Sequence, residues 1–145
     1  MTQPTIAIKK LYPNATVPVY AHPTDAGADL TAVKECTLQP GETVLVPTGI
    51  ALAIPQGFEG QVRPRSGLAF KHQVTVLNSP GTIDSGYRGE VGVILINHGK
   101  QPFVVTVGMG IAQLVIAPVT QAQFTLMGDL DDTPRASGGF GSTGA

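Results

Sequence analysis

A single cysteine, Cys36, is the whole thiol complement of this 145-residue chain. That excludes an internal disulfide framework and fits a reducing compartment. Cys36 lies in Lys34-Glu-Cys-Thr-Leu38, with no histidine visibly placed to activate it, so it reads as structural or incidental rather than catalytic. Charge is also scarce: 9 Lys+Arg against 10 Asp+Glu leave a formal net charge of −1. The basic field that holds long nucleic acid is therefore absent. Any phosphate bound here must be held by a few placed groups, which favours a small ligand. No apolar run approaches the roughly 20 residues of a membrane helix. Met1-Thr-Gln-Pro-Thr5 lacks the basic and apolar regions of a secretion signal. A soluble cytoplasmic protein is expected, with neither nucleic acid nor membrane as partner. Zinc-type Cys/His spacing, a Ser-His-Asp set that can be argued to meet, and the Rossmann fingerprint are all missing. His22, His72 and His98 sit in turn-like or polar surroundings and are expected to face solvent.

The 18 Gly and 12 Pro, by contrast, are spread along the chain and disfavour helix interiors. Between them lie short β-rich runs at Thr43–Val46, Val74–Leu77, Val91–Asn97, Phe103–Val107 and Ala112–Ala117. Turn signals punctuate them at Gln39-Pro-Gly41, Pro55-Gln-Gly57, Ser79-Pro-Gly81, Asn97-His-Gly99 and Val107-Gly108. The spacing predicts an all-β sandwich or barrel of one domain's length. Val91-Gly-Val-Ile-Leu-Ile96 is apolar on both faces, so a second surface, such as another subunit, is expected over its outer face. One short helix is expected at Ser66–Lys71, with Ser66 placed to cap it.

Several segments carry groups that strands and turns do not need. Asp29, in Asp25-Ala-Gly-Ala-Asp-Leu30, either stabilises a turn or accepts from a bound water or a cation's hydration shell. In Arg63-Pro-Arg-Ser-Gly67, Arg65 offers a fork to phosphate oxygens, Ser66 a hydroxyl and helix-start N–H groups, and Gly67 close approach. The bland alternative is a capped helix with two solvated arginines. Asn78 to Glu90 is too long and decorated for a plain turn. Folded as a hairpin with a bulged tip, its arms can read the edge of a base. Asp84 and Tyr87, three apart, then lie close along one arm, one able to take a proton from water and the other to offer a flat face to a sugar. Gln113 enters a strand as its only polar side chain and, if buried, must find main-chain or ligand partners. The last stretch, Arg135-Ala-Ser-Gly-Gly-Phe-Gly-Ser-Thr-Gly-Ala145, cannot build a core. It is either a frayed polar tail or an arm that wraps an anion with bare N–H groups and lays Phe140 on a planar ring.

Taken in order, Ala26-Gly-Ala-Asp-Leu30, Pro64-Arg-Ser-Gly67, Asn78 with Gly81-Thr-Ile-Asp-Ser-Gly-Tyr87, Ile111-Ala-Gln-Leu114 and Arg135 through Gly144 resemble the five motifs of the homotrimeric dUTPases. The resemblance implies a distorted β jelly roll of the β-clip type, a threefold trimer, and Mg²⁺-assisted hydrolysis of dUTP to dUMP and diphosphate. It implies a catalytic body over residues 1–134 and a mobile arm over 135–145 that closes a neighbouring subunit's site. Asp84 matches the residue that activates the attacking water. Arg65, Ser66 and Gly67 match the phosphate segment, and Gln113 a polar group near the α-phosphate. Asn78 and Gly81 match the hairpin beside uracil, and Tyr87 the ring under deoxyribose. Asp29 matches the aspartate that acts through the metal's water shell. Arg135 and Phe140, with Gly141 and Ser142, match the closing arm.

Three departures stand out. Gly86 replaces a more usual Asp; Ala136 replaces a more usual Gly and is expected to stiffen the arm and slow closure modestly; Met109-Gly110 replaces a common Asp-Arg pair and is expected to alter packing near Gln113 or at trimer contacts. Two rival readings share the scaffold. A dCTP deaminase-like enzyme would need an acidic base placed for cytosine, and would release ammonia. A non-catalytic nucleotide-binding regulator would not be expected to retain Asp84, Tyr87 and the full arm.

Overall fold

A computed structural model describes residues 3–144; Met1, Thr2 and Ala145, which belong to the N-terminal and arm expectations, lie outside the described residues. The chain forms β1 (Ala7–Lys10), β2 (Ala28–Thr31), β3 (Cys36–Leu38), β4 (Thr43–Ala53), β5 (Phe58–Arg63), α1 (Ser66–His72), β6 (Val74–Val76), β7 (Gly81–Ile83), β8 (Glu90–Asn97), β9 (Phe103–Val105) and β10 (Gly110–Pro118). Two antiparallel four-stranded sheets, ordered β1-β4-β8-β6 and β2-β10-β5-β7, face one another, with the pair β3-β9 beside them. This is the all-β, distorted jelly-roll sandwich with one short helix.

Turn chemistry sets the strand ends. At Gln39–Glu42, Pro55–Phe58 and Thr106–Met109 an i-to-i+3 hydrogen bond closes the turn, and the third residue, Gly41, Gly57 or Gly108, has φ of 81°, 91° or 85°. A side chain at that position would clash in the left-handed region, so glycine is what a type II turn asks for.

The core lies between the sheets. Along β8 burial alternates strictly: Val91, Val93 and Leu95 point inward, while Gly92, Ile94 and Ile96 are half-buried on the outer face. Each fully buried Val, Leu or Ile contributes about 1.5–3 kcal/mol relative to exposure. On the outer face Ile94 pairs in register with Leu45, which is 65% exposed, so an apolar strip is open to cover there.

β4 runs further than the β-rich run Thr43–Val46 suggests, because it bends instead of ending. Its register with β8 slips between Pro47 and Ala51. Within the slip, the Thr48 hydroxyl donates to the Val91 carbonyl at 2.6 Å and the Gly49 N–H donates to Glu90 Oε2 at 2.8 Å. Those bonds replace the lost ladder, and the second half of β4 then pairs with β1.

Two local expectations are corrected. Ser66 does not cap α1: Arg65, in extended backbone after Pro64, occupies the cap position and makes no side-chain capping bond, and Ser66 is the first helical residue. The segment after β6 is not a simple hairpin arm with a bulged tip. β6 and β8 are antiparallel partners, but the connection between them swings Gly81–Ile83 onto β5 in the opposite sheet.

Candidate active site

Two groups of candidate residues are assembled on the body, on one sheet. The first straddles β2, β10 and the end of β5. Gln113 of β10 stands directly across from Asp29 of β2 on one side and from Arg63 of β5 on the other. Residues opposed in register project from the same face, so three polar side chains form one row. Arg65, just beyond β5, reaches back over this row: its Nε lies 3.8 Å from Asp29 Oδ1 and its Nη1 donates to the Gly110 carbonyl at 2.9 Å. Both side chains remain about 40% exposed, so this is a screened, solvent-facing pair rather than a buried ion pair. Asp29 is therefore a strand residue and not a turn stabiliser. Gln113 is half-buried, not fully enclosed, and packs against the bare Gly27: a Cβ there would come within 2.9 Å of Gln113 Oε1. Ser66 and Gly67 follow Arg65 on the exposed first turn of α1.

The second group is the β6–β8 connection. Asn78, Gly81, Asp84 and Tyr87 line one cavity of about 200 Å³, whose walls include Val62, Ile83 and Val91. Backbone and side chains hold its polar members. The Tyr87 N–H donates to the Asp84 carbonyl at 3.1 Å, fixing the two residues in one turn. The Tyr87 hydroxyl donates to the Glu90 carbonyl at 2.9 Å, so the ring is pinned although it is half exposed. Gly81 is bare where a Cβ would stand 3.1 Å from Asn78 Nδ2. Asp84 also lines a second, larger groove with Ser85, Gly86 and Arg88, so the residue borders both spaces.

The arm is the third group. Arg135 Nε donates to the Gly138 carbonyl at 3.0 Å, and Gly138, Ser142 and Gly144 donate to Arg135, Gly139 and Gly141 within the same stretch. Among the described residues, every hydrogen bond of 133–144 is local to it. Phe140 is fully exposed at φ 52°, Ala136 has φ 48° and Gly141 has φ 82°. Regular structure ends at Pro118, and Phe124, Leu126 and Leu130 after it are each more than 80% exposed.

Among the described residues no hydrogen bond joins the arm to either body group, whereas the two body groups share one sheet, in which Gly81–Ile83 of β7 pairs with Gly60–Val62 of β5 beside Arg63. The sequence signals that passed unnoticed are glycines. Gly27 seats Gln113, Gly89 leaves space for the Tyr87 hydroxyl that a Cβ would occupy, and Gly110 does the same for Arg65. Gly110 of the Met109-Gly110 departure thus bears on Arg65. Of the three histidines, all exposed, His72 also packs its ring at a tilt against Phe103, with centroids 5.0 Å apart. Cys36 is half-buried at the start of β3. Burial, with Glu42 and Glu35 nearby, pushes its thiol up from the ordinary range, away from reactivity.

Among the described residues no three His, Cys, Asp or Glu side chains are gathered to hold a metal ion. Mg²⁺ keeps much of its water and takes few protein ligands when phosphates supply the rest. A lone, half-exposed Asp29 carboxylate beside a phosphate-competent arginine fits that mode of binding and not an all-protein cage.

A dUTPase family model matches residues 13–144. Among curated relatives, the deoxyuridine 5'-triphosphate nucleotidohydrolase of Gloeothece citriformis is 58% identical over 139 residues, covering 96% of each chain. That of Syntrophotalea carbinolica is 57% identical over 142 residues, covering 97% of each. Among solved structures, a Staphylococcus bacteriophage 80alpha dUTPase variant with dUpNHpp superposes with a TM-score of 0.90 at 27% identity, over 97% of this chain and 99% of that one. A phage phi11 dUTPase variant, solved to show the coordination of a structural Mg(II) ion, has a TM-score of 0.80 at 27% identity, over 86% of this chain and 97% of that one.

Proposed function

Because the chain belongs to the dUTPase family, we propose that it hydrolyses dUTP to dUMP and diphosphate, supplying dUMP and keeping uracil out of DNA. The observation that carries the site assignment is the shared cavity of Asn78, Gly81, Asp84 and Tyr87. A space of about 200 Å³ is on the scale of a nucleoside.

In this reading uracil enters beside Asn78 and the bare Gly81, where a thymine methyl is excluded by contact with the hairpin. Tyr87, held by its bond to the Glu90 carbonyl, lies under the deoxyribose and crowds the position of a 2′-hydroxyl. Asp84 takes a proton from water as the water oxygen forms its bond to the α-phosphorus. The bond from that phosphorus to the bridging oxygen breaks, and diphosphate leaves with the electron pair. Arg65, Ser66, Gly67 and Gln113 hold the phosphates. Bound Mg²⁺ would neutralise triphosphate charge, with Asp29 holding it through its water shell. Positioning and charge stabilisation are what this chemistry asks for, and no covalent nucleophile is needed.

Since the arm makes only local hydrogen bonds among the described residues, the complete site takes its arm from another copy in a homotrimer. The open strip at Leu45 and Ile94 and the uncovered Phe124 and Leu126 are surfaces such an assembly would bury. Arg135, Phe140, Gly141 and Ser142 then come from a neighbour's arm, Arg135 to the γ-phosphate and Phe140 onto uracil.

The test is diphosphate release from dUTP, dTTP, dCTP and UTP by the wild type and Asp84→Asn. Turnover should be confined to dUTP and fall by about 10²–10⁴-fold in the variant, with dUpNHpp still bound. A variant rate equal to wild type removes Asp84 as the base. Ammonia from dCTP overturns the reaction class.

A further inference from the structure

Gly110 opens β10 at a point where the ladder to β2 slips between Gly110 and Ala112. Slips of this kind re-aim backbone groups, and here the Gly110 carbonyl accepts Arg65 Nη1 at 2.9 Å. The α-carbon is equally committed. A Cβ at Gly110 would lie 2.7 Å from Arg65 Nη1, 3.3 Å from Cζ and 3.6 Å from Cδ. The clash falls on the guanidinium tip, with Cζ tight and Cδ in ordinary contact, so a methyl here would displace the guanidinium from its place on the Gly110 carbonyl. With Nη1 on Gly110 and Nε facing Asp29, two of the three guanidinium nitrogens are held by the chain. Among the described residues Nη2 makes no hydrogen bond, and it is the free prong of a planar fork.

We propose that Gly110 is a positioning residue: its missing side chain and its carbonyl together hold the Arg65 guanidinium with Nη1 and Nε docked and Nη2 presented to the substrate's phosphates. A fork held before binding loses less freedom on binding, so the effect falls on affinity for the triphosphate. The inference rests on the reading of Arg65 as a phosphate ligand.

The test is a double-mutant cycle in the full-length chain with Gly110→Ala, Arg65→Ala and the pair, reading KM and kcat for dUTP, dUpNHpp affinity and the unfolding midpoint. Gly110→Ala should raise KM and weaken dUpNHpp by about five- to tenfold with kcat within about threefold, whereas in the Arg65→Ala background the same change should cost less than about twofold. Any loss of stability in Gly110→Ala should likewise disappear in the pair, where no guanidinium remains to collide with the methyl; that comparison decides the matter even if the single variant folds poorly. An unchanged KM in Gly110→Ala, or an equal penalty in both backgrounds, overturns the proposal while leaving Arg65 its role. An unchanged KM in Arg65→Ala overturns both.

Discussion

Replacing Asn97 should destabilise the body far more than its size suggests. Asn97 is fully buried at the end of β8. Its Nδ2 donates to the Leu38 carbonyl at 3.0 Å and the Gln101 carbonyl at 2.8 Å, and its Oδ1 accepts from Gly99 N–H at 2.8 Å. One amide thus ties β8 to β3 and to the turn leading into β9. Asn97→Ala orphans all three backbone groups. The Leu38 bond is buried, and an unsatisfied carbonyl there costs about 1–3 kcal/mol. The other two are part-buried and can recruit water, at about 0.5–1 kcal/mol each. The sum is about 2–5 kcal/mol, or a fall in midpoint of roughly 10 °C for a chain of this length. Asn97→Asp separates bonding from volume, because it is isosteric but turns the donor towards two carbonyls into an acceptor. It should be at least as damaging above the carboxylate's titration. The assay is thermal unfolding followed by circular dichroism at one fixed protein concentration, since subunit association shifts midpoints. If Asn97→Ala unfolds within about 2 °C of wild type, or Asp is tolerated, the amide does not pin these strands as described.

Removing residues 135–145 should lower kcat/KM by at least about 100-fold while leaving the midpoint nearly unchanged, because the arm's hydrogen bonds are local. An undiminished rate would return the segment to the status of a tail. Ala136 holds φ 48°, a left-handed conformation that costs a residue with a Cβ about 1–2 kcal/mol. Ala136→Gly should therefore raise kcat/KM by up to about fivefold, the glycine's extra freedom in the open arm cancelling part of the relief. A decrease would show that closure does not use that conformation. Cys36 has its thiol pushed up by burial, then by Glu42 and Glu35. A raised folded-state value favours the neutral thiol, so its contribution is complete below the ordinary thiol range and is lost as pH climbs through and beyond it. Iodoacetamide should accordingly label the native protein more slowly than the urea-unfolded chain near pH ~8; equal rates would contradict the shift.

The amino-acid sequence determines the class of this protein, its punctuation and the inventory of its chemistry. Glycine and proline density excludes long helices, and Pro-Gly and Pro-X-Gly turns stand where the strand ends are. The β-branched runs of β6, β8, β9 and β10 overlap the strands that form, because those segments are continuously apolar or alternate strictly. β1, β2, β3, β5 and β7 escaped notice for the opposite reason: each is three to six residues long, and the polar or glycine residues within them make sense only beside a partner strand. Local residues name Asp29, Arg65, Asp84, Tyr87 and Gln113, but cannot bring them together. Asp29 meets Gln113 because β2 and β10, from opposite ends of the chain, are ladder partners. Arg65 is oriented by the carbonyl of Gly110, 45 residues away. Register and close approach are properties of paired strands, set by which hydrophobic faces are buried together, and only the folded chain decides them.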